Sequence, residues 1–340
     1  MNFIKKWLKS LKSYDLVKHT KKYLLGSASI MLVGLLVVII FGFNLGIDFT
    51  GGTVLKIKIG STLEQPGVYE TYTSQIETVL QNNGLKLSLK QQEGVGEDAN
   101  IMIRFQDIKG YSEEEMQEVT EEVKAEIVAT LSILENQVQD SQRIGPSATA
   151  ALVLNALLAV LFATILILIY IAFRFELLSG LSAIIALFHD VLIMLALVAI
   201  FRLQINGAFV AALITIIGYS INDTIVVFDR IRENRQKESY KEKTNADIVN
   251  ISIRETMFRT LNTSVTTLLV ITVLAVFSVP AITEFAIPII FGLISGTYSS
   301  IFIAAPIWAV VSDKTKPRNK HAKTLKDKVK NTEQKEILQV

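Results

Sequence analysis

Asp223 stands inside a run of apolar residues long enough to cross a bilayer, and a carboxylate there needs a physical reason. Burying a charge in a membrane costs about 2.5–3.5 kcal/mol on insertion scales. Around it the sequence reads Ser220-Ile-Asn222-Asp223-Thr224, which puts Ser220, Asp223 and Thr224 on one helical face at i, i+3 and i+4. At 1.5 Å per residue from the start of its segment, Asp223 lies about 26 Å deep, roughly two turns before Arg230. Desolvation and a nearby cation act on a carboxylate in opposite senses, which is the condition for reversible proton uptake. Two readings stay open: a proton relay, or a helix-end Asp that reaches the headgroups or caps a neighbouring helix.

Two further polar groups interrupt apolar segments. Arg259, Asn262, Thr263, Thr266 and Thr267 recur at i, i+3, i+4, i+7 and i+8, a polar stripe on an otherwise apolar helix. Arg259, a permanent cation, is the candidate counter-charge for Asp223. The competing reading is a positive anchor with hydroxyls that glue helices together. His189-Asp190 falls near the centre of another segment, about 20 Å from its Leu177 end. It would serve proton transfer, or Asp190 would accept hydrogen bonds from hydroxyls or amides on the fourth or fifth segment and fasten the bundle.

These residues are positioned by a chain that is 50% hydrophobic with mean hydropathy +0.42. A bilayer core needs about 20 apolar residues per helix, and six segments qualify: 24–45, 148–172, 177–201, 206–228, 262–282 and 285–311. The first is too long for a signal-peptide core and lacks a cleavage pattern after it, so it reads as a retained anchor. Basic residues gather at 1–23, in the loop 229–261 and in the tail 312–340. With the N-terminus inside, all of these clusters fall on the cytoplasmic side, as does the C-terminus. A nucleic-acid partner is therefore not needed to explain them. The tail reads as solvated, with contact to ribosomes, anionic lipid or a partner protein as the alternative. Gly42/Gly46 and Gly292/Gly296 each form a GxxxG spacing that permits close helix contact.

Residues 46–147 form an extracytoplasmic domain of a different character. Thr53–Ile59, Leu85–Leu89 and Ile101–Phe105 alternate as strands do, and a last strand is placed at 138–144. Tyr72–Leu80 has helical spacing, and a helix over 112–135 opens with Ser112 three residues before Glu115, a capping box. The order βαββαβ is that of a ferredoxin-like α+β fold. With Cys 0 the domain has no disulfides, and thiol catalysis and cysteine metal sites are excluded. Of the histidines, His19 and His321 lie in basic segments, which argues against a multi-histidine metal site. No GxxxxGK[ST] loop occurs, so ATP hydrolysis by this chain is not expected, nor is another enzymatic activity or a cofactor.

Several motifs carry a resemblance. Gly46-Ile-Asp-Phe-Thr-Gly-Gly52 looks like the GxDFxGG motif of the SecD/SecF family, within the resistance-nodulation-division (RND) transporter superfamily, and on its SecF side. Arg143-Ile-Gly-Pro146 resembles the family's Val-Gly-Pro return to the membrane, with Ile144 in place of Val. Arg174-Phe-Glu176 and His189-Asp190 also agree, although Leu177 and Leu178 stand where a Trp and a basic residue are common. The most specific stretches are Gly218-Tyr-Ser-Ile-Asn-Asp-Thr-Ile-Val-Val-Phe-Asp-Arg-Ile-Arg-Glu-Asn234 and Arg259-Thr-Leu-Asn-Thr-Ser264.

The resemblance implies a polytopic helical protein of the bacterial cytoplasmic membrane that assists protein secretion with the proton motive force, after the ATP-driven SecA step. Asp223 and Arg259 match the positions associated with proton flow, and His189, Asp190, Ser220, Asn222 and Thr263 would support them. Implied partners are SecD as the second six-helix half, the SecYEG channel, SecA indirectly, YajC, the unfolded exported polypeptide and membrane lipid. A sodium gradient is the alternative driver. Rival readings are a small-molecule or lipid exporter subunit, which the small external domain disfavours, and a structural scaffold of the translocon.

Overall fold

A computed structural model describes residues 15–107, 111–277 and 280–315. The basic clusters of residues 1–14 and 316–340, with His321, lie outside the described residues.

Among the described residues, six helices are long and apolar enough to cross a membrane. They are α1 (Thr20–Phe41), α5 (Pro146–Arg174), α6 (Leu177–Ile200), α7 (Gly207–Gln236), α8 (Asn245–Phe277) and a sixth passage that begins as α9 (Pro280–Ser299). That passage continues through a π-helical turn (Ser300–Ala304) into α10 (Ala305–Thr315). Helices α6, α7 and α9 form the interior. Leu187, Met194, Ile216, Ile217, Ile289 and Leu293 fill its domain-side half, and Phe228, Ile253, Met257 and Trp308 fill the other. Helices α1 and α5 present apolar side chains outward along most of their length, as lipid-facing helices do.

The segment between α7 and α8 differs from expectation. The loop expected over 229–261 is mostly helical: α7 runs on to Gln236 and α8 begins at Asn245. The first half of α8 is amphipathic rather than uniformly apolar, and it buries Ile248, Val249, Ile253 and Met257 against the bundle. A search for bilayer-length apolar runs misses such a half-helix. Helix α8 is described to Phe277; residues 278 and 279 of the expected 262–282 segment lie outside the described residues, and residues 280–282 belong to the next helix.

The α+β domain has β1 (Gly52–Lys58), α3 (Val68–Asn82), β2 (Leu85–Glu93), β3 (Asn100–Asp107), α4 (Glu113–Leu131) and β4 (Val138–Ile144). A four-residue helix, α2 (Ile47–Thr50), leads into it. The strands lie in the antiparallel order β2-β3-β1-β4, the ferredoxin-like arrangement that the βαββαβ pattern implies. Leu55, Ile57, Ile101, Ile103 and Phe105 face Ile76, Leu80, Val123 and Ile127 of the two helices. Each such side chain, fully buried, contributes about 1.5–3 kcal/mol. Helix α4 ends earlier than expected because Ser132 turns into the left-handed region, φ 54°.

The capping box at Ser112 is present in both directions: Ser112 Oγ accepts from the Glu115 N–H at 3.2 Å, and Glu115 Oε2 accepts from the Ser112 N–H at 2.8 Å. The hydrogen bond from the Ser112 backbone holds the Glu115 carboxyl below its ordinary range. A carboxylate depressed by folding stabilises above its unfolded value and loses that contribution as pH falls through the folded one. Amide protection in the first turn of α4, measured by hydrogen exchange on the full chain, is therefore expected to drop selectively between neutral pH and the acid side of that value. It should be insensitive to pH in Glu115→Gln.

Glycine spacing sets where helices touch. A Cβ at Gly292 would sit 2.4 Å from Ile216 Cγ1, and one at Gly296 3.2 Å from Ser220 Cβ, so this pair does bring α9 against α7. The Gly42/Gly46 pair does not act in that way. Gly42 ends α1 at φ 66° in open space, and Gly46 meets Asn206 beyond the helix. The close contact of α1 is instead at Gly34, where a Cβ would lie 2.4 Å from Ala196 Cβ and 2.6 Å from its Cα. Gly34→Ala is expected to cost about 1–3 kcal/mol through overpacking against backbone. A lowered melting temperature of the purified full chain, with Gly26→Ala as the tolerated control in open space, checks this.

Candidate functional site: a buried carboxylate network

Asp190 of α6 is fully buried, at 0% exposure, and sits at the centre of a hydrogen-bond cluster. Ser220 Oγ of α7 donates to its Oδ2 at 2.5 Å, and Ser299 Oγ of α9 donates to the same oxygen at 2.7 Å. Ser295 Oγ donates to Oδ1 at 2.8 Å, and His189 Nδ1 lies 3.0 Å from Oδ1. Three helices thus converge on one carboxylate, and its lone pairs are filled. The expectation that Asp190 fastens the bundle pointed to the fourth and fifth segments. The donors come from the fourth and the sixth. Ser295 and Ser299 were not singled out from the sequence, although Gly292, Ser295, Gly296 and Ser299 form a small polar stripe at i, i+3, i+4 and i+7. The π-helical turn begins at the residue after Ser299.

His189 stacks on the Tyr298 ring, with centroids 6.1 Å apart. Its Nε2 is buried without a hydrogen-bond partner among the described residues. Tyr298 in turn donates to the Tyr23 carbonyl of α1 at 2.9 Å.

Asp223 lies one helical turn beyond Ser220 on α7 and is 8% exposed. Its carboxylate is held far more loosely than that of Asp190. Ser264 Oγ of α8 lies 3.3 Å from Asp223 Oδ2, and Thr297 Oγ1 of α9 donates to Ser264 Oγ at 2.7 Å. Neither Ser264 nor Thr297 was expected here. The polar stripe expected on α8 is offset from the packed face: Thr260 and Ser264 are buried, whereas Arg259, Asn262, Thr263 and Thr266 are exposed. Arg259 makes no ion pair with Asp223 among the described residues and lies on the exposed side of α8. Thr263 Oγ1 donates to the Arg259 carbonyl at 3.0 Å, and Asn222 is exposed on α7.

Of these exposed groups Asn222 and Thr263 border a narrow cleft between α7, α8 and α9, lined by Tyr219, Asn222, Asp223, Thr263, Ser264 and Thr267 among others. Its volume of about 10 Å³ is at the lower limit for a single water. The site residues therefore divide: His189, Asp190 and Ser220 are packed together, Asp223 is at the bottom of the cleft, and Asn222, Thr263 and Arg259 lie on the outward face.

The same helix is tied to the α+β domain at its other end. Asp48 of the glycine-rich motif accepts the Gly207 N–H at 2.7 Å through Oδ2, and Asn206 Oδ1 accepts the Phe209 N–H at 3.0 Å, so α7 is capped from both sides. Asn206 Nδ2 donates to Glu284 Oε2 at 2.5 Å, and Glu284 pairs with Arg104 of β3 at 3.2 Å. Leu45 and Ile205 form a parallel bridge beside them. Gly52 is required where the motif becomes β1, because a Cβ there would lie 2.3 Å from the Phe105 carbonyl. At the opposite end, Arg174 pairs with Asp229 and Arg235 lies 3.6 Å from Glu176, so the tight α5–α6 turn is fastened to α7.

Comparison with known proteins agrees with this architecture. Residues 123–314 match the profile "Protein export membrane protein SecD/SecF, C-terminal", and residues 37–62 match "SecD/SecF GG Motif". The chain is 36% identical over 304 residues to a protein translocase subunit SecF of Rickettsia bellii, covering 89% of this chain and 93% of that protein. It is 34% identical to the corresponding subunit of Sebaldella termitidis over 92% of this chain and 96% of the relative. Among solved structures it is similar to SecDF of Thermus thermophilus, a translocon-associated membrane protein, at 32% identity and TM-score 0.71. That alignment covers 89% of this chain but 39% of the SecDF chain.

Proposed function

The chain belongs to the SecD/SecF family of protein export membrane proteins, and on that footing we propose that it is an ion-driven half of a protein translocase in which Asp223 is the protonatable switch. The observation that carries the proposal is the contrast between two buried carboxylates. Asp190 is held by three serine donors from two neighbouring helices, α7 and α9, and acts as an anchor. Asp223 has one long hydrogen bond and borders a cleft the size of a water. Gain or loss of a proton there changes its attraction for Arg259 and its bond to Ser264, which biases the packing of α7 against α8 between two states. Capping of α7 by Asp48 and Asn206 carries that motion to the external domain.

The outward face of Asn222, Arg259 and Thr263 is polar on helices long enough to cross a membrane. Such a face is costly against lipid, which supports a second six-helix half, SecD, as its cover. The remaining assembly follows from the export role: the SecYEG channel, YajC, SecA acting earlier with ATP, and an unfolded polypeptide as cargo. Both termini lie in the cytoplasm by the distribution of Lys and Arg, with the α+β domain outside.

The test is export of a model preprotein across membranes containing this chain and its partner half, after the ATP-driven step is complete. Completion of transit is expected to stop when a protonophore collapses the proton gradient and to continue when a sodium ionophore is used. The reverse pattern would transfer the switch to sodium, and indifference to both would end the ion-driven reading.

A further inference from the structure

Between the edge strand β2 and the domain-side ends of α7 and α9 lies a cleft of about 300 Å³. Leu89 and Gln91 of β2, Leu203 and Gln204 before α7, and Glu284 and Ile287 of α9 form its walls. Gln204 is 6% exposed, and the orientation of its amide is fixed by chemistry. Arg104 Nη1 donates to Gln204 Oε1 at 2.5 Å, and because a guanidinium can only donate, the oxygen must face it. The amide nitrogen is therefore the remaining group, and Gln204 Nε2 is buried with no hydrogen-bond partner among the described residues. A buried donor left unmade is costly, so this one points to an acceptor supplied from elsewhere.

The surroundings define that acceptor. Arg202 and Glu284 border the cleft together, and each is engaged: Arg202 Nη1 donates to the Gly42 carbonyl at 2.5 Å, and Glu284 pairs with Arg104. With one cation and one anion in the wall, a phosphate or a carboxylate gains no net attraction, and the Glu284 carboxylate opposes it. A neutral carbonyl suits the amide donor, and Leu89, Leu203 and Ile287 suit apolar or small side chains beside it. The strand that forms one wall is also the edge of the sheet, paired on one side only with β3. Past the register shift between Leu87 and Leu89 its pairing is regular to Glu93, which leaves a regular outer edge able to add an extended strand.

We propose that this cleft is a docking site for an extended, uncharged stretch of polypeptide, with its backbone carbonyl on Gln204 Nε2; that this polypeptide is the exported chain rests on the protein-export reading above. The occupied cleft would lie two residues from Asn206, the cap of the helix that carries Asp223. Cargo and ion switch would then act on the same helix from its two halves.

The chain has no cysteine, so a single introduced thiol reports without background. Gln91→Cys, labelled with a benzophenone maleimide in the full chain assembled with its partner half, is irradiated with a model preprotein arrested in transit. Adduct to the preprotein is expected to exceed by about fivefold that of Glu118→Cys on the exposed face of α4, and to fall about fivefold when Gln204→Glu is added, the loss of one hydrogen bond. Gln204→Glu keeps an oxygen for Arg104 and replaces the free donor with a carboxylate oxygen that repels an incoming carbonyl, and unchanged abundance of the complex confirms that it assembles. Equal adducts at both positions, adducts to lipid alone, or an adduct insensitive to Gln204→Glu would overturn the site. The same measurement in Asp223→Asn separates the two ideas: an adduct that persists there while export continues normally leaves the site standing and removes the ion switch. A missing adduct removes the site whatever export does.

Discussion

Asp223→Asn is expected to abolish the gradient-dependent part of export while the assembled complex remains in the membrane at its normal amount. The substitution is nearly isosteric. The Asn carbonyl can still accept from Ser264 Oγ, now 3.3 Å from the carboxylate, so the folding cost is expected to stay below about 1 kcal/mol. What disappears is the difference between two protonation states. A ligand shifts a conformational equilibrium only by its differential affinity for the two states, and an amide offers the proton none. Export kinetics with and without the gradient, beside immunodetection of the complex, give the readout. Loss of complex in parallel with loss of export would move Asp223 into the structural class.

Asp190→Ala should give the opposite pattern. It removes the acceptor shared by Ser220, Ser295 and Ser299 and strands the His189 side chain as well. Leaving a buried polar group unsatisfied costs about 1–3 kcal/mol, and several such groups together amount to a large share of the roughly 5–15 kcal/mol that holds a domain together. Some serines would fall back on carbonyls of the preceding turn, as Ser299 Oγ already approaches the Gly296 carbonyl at 3.2 Å, which trims the cost. The expected result is a marked fall in the thermal stability of the purified chain and in its abundance in the membrane. Full stability of Asp190→Ala with export lost would mean that the anchor is itself part of the ion path.

The legible parts of the sequence were those with strong periodicity. Long apolar runs give the six passages, and alternation in Thr53–Ile59 and Ile101–Phe105 gives strands that the sheet confirms. The amphipathic start of α8 escapes a hydropathy window because its buried face, Ile248 to Met257, is interrupted by charged residues such as Arg254 and Glu255 that the window averages in. The intramembrane carboxylates were visible because charge in an apolar run is rare. Their partners were not, since serine and threonine are common in membrane helices and carry no label of depth or facing. Ser264 illustrates this: it adjoins the expected stripe, yet one residue of rotation, about 100°, separates the packed face of α8 from the exposed one. Arg259 falls on the exposed side of that line, so its role depends on what covers the face.

The central claim is that Asp223 takes up and releases a proton in the assembled complex. Infrared difference spectroscopy across a pH titration of the purified complex reads that event directly, through the carbonyl stretch of a protonated carboxyl. The expected result is a carboxyl band that is present at low pH, is lost as pH rises, and is missing at every pH from Asp223→Asn while it persists in Glu115→Gln. A spectrum in which Asp223→Asn removes no pH-dependent band would contradict the account.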